Sequence, residues 1–184
     1  MWTEELGVAG VFVTGTVLAG RTTTAQRLGE LVEPAFDVRV LPLDRPGGWR
    51  CVLARRRLVV RPQWVTDRPT DAFGPMVTEP RMIAELAFLR AAAAIVFVAD
   101  AQEERRAANI VALARLRELL LHLGREPERV RMLIALNKQD LRNLAGADVL
   151  RGELRWRSAR YVETAVTQSL GLLDLQVGIA ELVG

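Results

Sequence analysis

The stretch MLIALNKQDL, from Met132 to Leu141, decides how the rest of this chain is read. An apolar run ends abruptly on the polar tetrapeptide Asn137, Lys138, Gln139, Asp140, and such a run predicts a buried strand. In an open α/β sheet the ligand lies beyond the carboxyl ends of the strands, so the tetrapeptide falls at a ligand site. Its chemistry suits guanine, which offers O6 and N7 as acceptors beside the hydrogens on N1 and N2. An ionised Asp140 accepts from both of those donors, and the Asn137 amide serves the acceptor edge. Adenine lacks that donor pair. Among 25 Lys and Arg residues, Lys138 is the one lysine. A flexible stem laid over a base plane, with a compact ammonium beyond it, suits this position better than a planar guanidinium fork.

A second motif lies near the start. Leu6 to Thr14 (LGVAGVFVT) is a short β-rich run, followed by Gly15, Thr16, Val17, Leu18, Ala19, Gly20, Arg21, Thr22 and Thr23 and then by a helix-like segment. Strand, glycine loop and helix form the context of a phosphate-binding loop. The GxxxxG spacing followed by a basic residue and Thr fits, except that Arg21 stands where a lysine is expected. Backbone amides between Gly15 and Thr22 can still cradle a phosphate at a helix N-terminus. Thr22 is placed to hold Mg²⁺, and a plain strand-to-helix turn is the competing reading.

Length and composition bound the alternatives. A chain of 184 residues with 50% apolar content predicts one domain over 1–184 with a core that needs neither disulfides nor metals. The lone Cys51 predicts a buried thiol in a reducing cytoplasm. MWTEEL does not read as a secretory signal, and the longest apolar run, Ala91 to Ala99, is too short to span a bilayer. A soluble cytoplasmic protein is expected. The net charge of +3 does not predict nucleic-acid binding. Arg55, Arg56 and Arg57 form a local basic cluster without interleaved aromatics, as in a solvated turn or strand edge.

The remaining segments alternate strand and helix. The first helix ends near Val32, ahead of Pro34, and Phe36 to Leu43 and Trp49 to Val60 read as strands that pair antiparallel. Residues 61 to 80 read as a long proline-bearing loop, in which Asp71 and Gly74 match a loose DxxG pattern. Pro80 to Arg90 is predicted helical and Ala91 to Asp100 a buried strand. Gln102 to Leu123 reads as an amphipathic helix, with Ile110, Leu113, Leu116, Leu120 and Leu123 on its apolar face. His122 has no nucleophile or metal partner in sight. A helix at Asp148 to Leu154, a strand at Arg160 to Val166 and a helix at Gly171 to Leu182 complete the chain. Thr164 and Ala165 then lie at the edge where a base would rest.

Glycine loop, NKxD and TAV turn, in this order, resemble a Ras-like small GTPase. GTVLAGRTTTAQ, LPLD at 41 to 44, VFVADAQEERRAANIVAL at 96 to 113 and NKQDL are more specifically similar to the bacterial MglA-type gliding-motility and cell-polarity GTPases. The likeness covers most of the chain and is strongest from Ala94 to Leu141. It implies an α/β P-loop NTPase fold, a Ras-like doubly wound and mostly parallel sheet with one antiparallel strand. It also implies GTP or GDP and Mg²⁺ as ligands, and roadblock-type dimers among the protein partners. By position, Gly15, Gly20, Arg21, Thr22 and Thr23 would meet phosphate and Mg²⁺, and Asn137, Lys138, Asp140, Thr164 and Ala165 the base. A backbone N–H of the TAV turn would meet guanine O6. The departures are Arg21 for lysine, a missing long switch I and an illegible switch II, of which RPQ at 61 to 63 is the nearest remnant. Gln63 is the nearest candidate for orienting a water. Three functions remain open: a nucleotide-binding protein with little hydrolysis, a nucleotide-free scaffold, and a GTPase completed by a partner.

Overall fold

Strands apolar on both faces, alternating with helices apolar on one, can bury themselves only as a sheet covered on both sides. The computed structural model describes residues 8–32, 41–42, 49–50, 57–62, 86, 89–90 and 92–183. The strand β1 (Val8–Gly15) turns into the helix α1 (Arg21–Val32), and β2 (Leu41–Pro42), β3 (Trp49–Arg50) and β4 (Arg57–Pro62) follow. Beyond them come β5 (Ala94–Asp100), a 3-10 turn at Glu103–Arg105 and α2 (Arg106–His122). The last elements are β6 (Met132–Asn137), α3 (Ala147–Leu154), β7 (Arg160–Glu163) and α4 (Leu172–Val183).

The main sheet has the order β4-β1-β5-β6-β7, and every neighbouring pair is parallel. The antiparallel pairing expected between the second and third strand segments is present as a short separate ladder, Leu41 opposite Arg50 and Pro42 opposite Trp49. Arg57, the last of the arginine triplet, opens β4 opposite Val8. Cys51, Gln63, Asp71, Gly74 and most of the predicted 61 to 80 loop lie outside the described residues.

The two-residue period of the strands sorts their side chains into two cores. Phe12, Ile95, Phe97, Met132, Ile134 and Leu136 face Leu113, Leu116 and Leu120 of α2 and Leu150 of α3. Val11, Val13, Val96, Val98, Leu133 and Ala135 face Ala25 and Leu28 of α1 and Leu172, Leu175 and Ile179 of α4. Each of the large fully buried side chains contributes about 2 kcal/mol relative to exposure. β5 and β6 are buried at every position, so neither alternates in sequence. No helix among the described residues is long and apolar enough to cross a membrane.

The helix α2 corrects one expectation. Ile110, predicted for its apolar face, is 41% exposed, and the buried positions are Asn109, Ala112, Leu113, Leu116 and Leu120. A polar residue has taken the inward position, and its partners explain why.

Candidate functional site

Register brings the strand ends together. Gly15 pairs with Val98, Asp100 with Asn137, and Leu136 with Glu163, so the loops after β1, β5, β6 and β7 leave one edge of the sheet. The chain runs from β1 to one side at β4 and to the other at β5, which makes this edge a topological switch point, where doubly wound sheets hold ligands.

The loop after β1 starts at a close backbone approach. Gly15 has φ +143°, and a Cβ there would stand 2.0 Å from the Val98 carbonyl oxygen, so a side chain is excluded. The Thr16 N–H donates to that same oxygen at 3.1 Å. The loop then curls on itself: Ala19 N–H donates to the Thr16 carbonyl at 3.1 Å, with Leu18 left-handed at φ 65° and Gly20 at φ 96°. The N–H and hydroxyl of Thr24 close on the Gly20 carbonyl at 2.8 and 2.9 Å, handing the chain to α1. Leu18 and Gly20 have no acceptor for their N–H groups among the described residues, and the first turn of a helix leaves its own N–H groups open. Open amides at a glycine loop and helix N-terminus are groups to which an anion can bind.

Arg21 opens α1 and is buried, with Nη1 donating to the Gly15 carbonyl at 3.1 Å. Its guanidinium folds back along the loop. Thr22 and Thr23 are half-buried beside it. Among the described residues no group of three or more His, Cys, Asp or Glu could hold a metal. Thr22 is the residue whose hydroxyl would hold a Mg²⁺ ion here, since that ion is bound through few protein ligands beside phosphate and water oxygens.

Asn137 is the junction of the site. Its Nδ2 donates to the Ala19 carbonyl at 2.7 Å, and its Oδ1 accepts from the Thr164 hydroxyl at 3.1 Å and the Val166 N–H at 3.2 Å. One buried amide thereby joins three loops, with one bond from its Nδ2 and two to its Oδ1. Gly20 must lack a side chain, because its Cβ would stand 2.5 Å from that Nδ2. Lys138 is left-handed at φ 72° and its Nζ donates to Asp100 Oδ2 at 2.7 Å. Asp140 is exposed, its carboxylate accepting from the Thr167 hydroxyl at 3.3 Å.

Thr164 and Ala165 lie behind this edge, both fully buried. The strand ends at Glu163, and the Ala165 N–H donates to the Leu170 carbonyl at 3.1 Å as the turn doubles back. The Val166 N–H is held by Asn137, so the N–H groups of both Ala165 and Val166 are engaged within the protein. Both residues shape the turn that Asn137 braces.

Three residues of the site carry no motif. Asn109 is fully buried; its Oδ1 accepts from the Thr16 hydroxyl at 2.6 Å and the Asp100 N–H at 3.0 Å, and its Nδ2 donates to the Asp100 carbonyl at 2.7 Å. The Asp100 side chain, 1% exposed, lies beside both Lys138 and Arg105. Arg105 donates from Nη2 to the Val17 carbonyl at 2.7 Å. A signal for Asn109 existed: it keeps the helical spacing of Leu113, Leu116 and Leu120, and a polar residue in that register must have partners inside.

No protein-family model matches the chain. The mutual gliding-motility protein MglA of Myxococcus xanthus (strain DK1622) is 33% identical to it over 89 residues, 48% of this chain and 46% of MglA. The chain is a distant relative of MglA. It spans about half the length of MglA in that match. The likeness to MglA and the parallel sheet with a glycine loop after β1 agree on a Ras-like P-loop fold.

Proposed function

We propose that this chain is a divergent, MglA-like small GTPase, a single G domain over 1–184. It binds GDP or GTP, hydrolyses GTP slowly or not at all, and acts in the cytoplasm through protein partners in bacterial motility or cell polarity. The observation that carries this reading is the Asn137 amide, which joins the glycine loop, the NKQD segment and the TAV turn into one constellation. Gly15, Gly20, Arg21, Thr22 and Thr23 would meet phosphate and Mg²⁺; Asn137, Lys138 and Asp140 would meet the base, with Thr164 and Ala165 shaping its edge. Motility, polarity and roadblock-type partners have the family resemblance alone as support. Analysis of nucleotide released from purified, denatured protein tests the reading directly. Bound GDP or GTP supports it, and a nucleotide-free protein that also fails to take up added GDP overturns it.

A second reading, a nucleotide-free scaffold, draws on Arg21, whose buried guanidinium donates to the loop's own carbonyl. A planar fork cannot enter a tight amide cradle as a compact ammonium does. Arg21→Lys is therefore expected to tighten GTP binding by about tenfold. Calorimetric titration of the two proteins checks this, and unchanged or weaker affinity in the variant would mean that Arg21 already does the work of lysine.

Phosphoryl transfer depends on metal placement, a positioned water and charge stabilisation, with little covalent work by the protein. Thr22 is the candidate for holding the metal, and few residues separate the end of α1 at Val32 from β2 at Leu41, where a switch would have to close. Single-turnover hydrolysis of bound GTP is expected at or below about 10⁻⁴ s⁻¹, the order of an unassisted small GTPase. Chromatography of the bound nucleotide over a day measures it. Turnover a hundredfold faster, with GTP-specific hydrogen-exchange protection in residues 61 to 80, would identify a divergent switch there.

A further inference from the structure

We propose that Arg105 is a positioning residue for phosphate binding, acting through the carbonyl of Val17; the proposal rests on the nucleotide reading above. The Val17 carbonyl and the Leu18 N–H belong to one planar trans peptide, so they point in opposite directions. By holding that carbonyl at 2.7 Å, Arg105 turns the Leu18 N–H to the far side of the peptide, in the loop that carries the open amides. The bond is charge-assisted, the stronger class of hydrogen bond. Leu18 needs such help. It is left-handed at φ 65°, a conformation that L side chains disfavour, and its side chain is 78% exposed, so packing does little to hold the turn.

Asp100 explains why Arg105 is available for this. Its buried carboxylate accepts the Gln102 N–H at 3.1 Å and lies 2.7 Å from Lys138 Nζ and 3.8 Å from Arg105 Nε. A carboxylate removed from water requires such partners, and here the two cations come from different loops. Arg105 is turned toward the glycine loop and Lys138 stays beside the base motif. Asp100 thus places both halves of the site with one charge, while Asn109 ties its backbone to Thr16.

The test titrates GDP and guanosine, which lacks the phosphates, into wild type, Arg105→Met and Arg105→Lys, with thermal melting as the check on folding. Arg105→Met is expected to weaken GDP by about tenfold, the effect of losing one charge-assisted bond, and to leave guanosine unchanged. Arg105→Lys should recover part of the GDP affinity, and it replaces the Met variant if that one does not fold. In the nucleotide-free protein, the backbone amide resonance of Leu18 should shift in Arg105→Met relative to wild type. Equal losses for GDP and guanosine, or no loss for GDP, overturn the proposal. Wild-type protein that binds GDP no better than ADP removes the nucleotide reading instead. An unchanged Leu18 amide resonance in Arg105→Met overturns the positioning role in either case.

Discussion

Asp140→Asn is expected to turn the preference of this site from guanine to xanthine nucleotides, lowering GDP affinity by about 10²- to 10⁴-fold. An ionised carboxylate only accepts hydrogen bonds, and guanine presents two hydrogens to it, on N1 and N2. The asparagine amide places a donor against one of them, whereas xanthine carries a C2 carbonyl that accepts it. Discrimination of this size arises because a mismatched base leaves polar groups unpaired once water is displaced. The variant should fold normally, since Asp140 is exposed and its bond is a 3.3 Å contact from Thr167, and exposed substitutions shift stability by about 0.5 kcal/mol or less. Competition of GDP, XDP and ATP against a fluorescent guanine nucleotide measures the change. Equal competition by ATP and GTP in the wild type would sink guanine recognition altogether.

The parts of this site that were legible in the sequence are those with a local signature. The NKQD segment follows an apolar run and the glycine loop follows a β-rich run, so both fall at strand ends, and β6 and β1 end at Asn137 and Gly15. Side-chain direction was not legible. Lys138 reads as a base-stacking residue, but its ammonium is also the partner of a buried carboxylate 38 positions earlier. Nothing in a single sequence ties Asp100 to Lys138, because the bond depends on β5 and β6 being neighbours in register. On α2, Leu113, Leu116 and Leu120 face inward as their spacing predicts, and Ile110 alone of these positions turns outward for a related reason. A hydrophobicity rule places Ile110 inside and Asn109 outside, and three hydrogen bonds to Thr16 and Asp100 reverse that order. At β7 the sequence predicts a strand running on to Val166; it ends at Glu163 because the turn bonds back from Ala165 to Leu170.

Asn137→Ala is expected to be the most destabilising change in the site, lowering stability by roughly 3–5 kcal/mol, in the range seen when a buried hydrogen-bonded network is broken. Asn137 is 2% exposed, so water does not readily replace what the amide supplies. Its loss strands the Thr164 hydroxyl and the Val166 N–H without their acceptor, and the Ala19 carbonyl without its donor. Each buried group left unpaired costs about 1–3 kcal/mol, and the three share one centre, so their costs do not simply add. For a domain of this size each kcal/mol shifts Tm by about 2–4 °C, so a fall of roughly 10–15 °C is expected. Asn137→Asp separates the two directions of the network. It keeps an acceptor for Thr164 and Val166 but sets a carboxylate against the Ala19 carbonyl, uncoupling the glycine loop from the base motif. That variant should bind GDP far more weakly than its loss of stability alone would explain. Melting curves taken with and without GDP measure both effects. An alanine variant that melts within a few degrees of wild type would show that the three loops hold one another by other means and that Asn137 is not their junction.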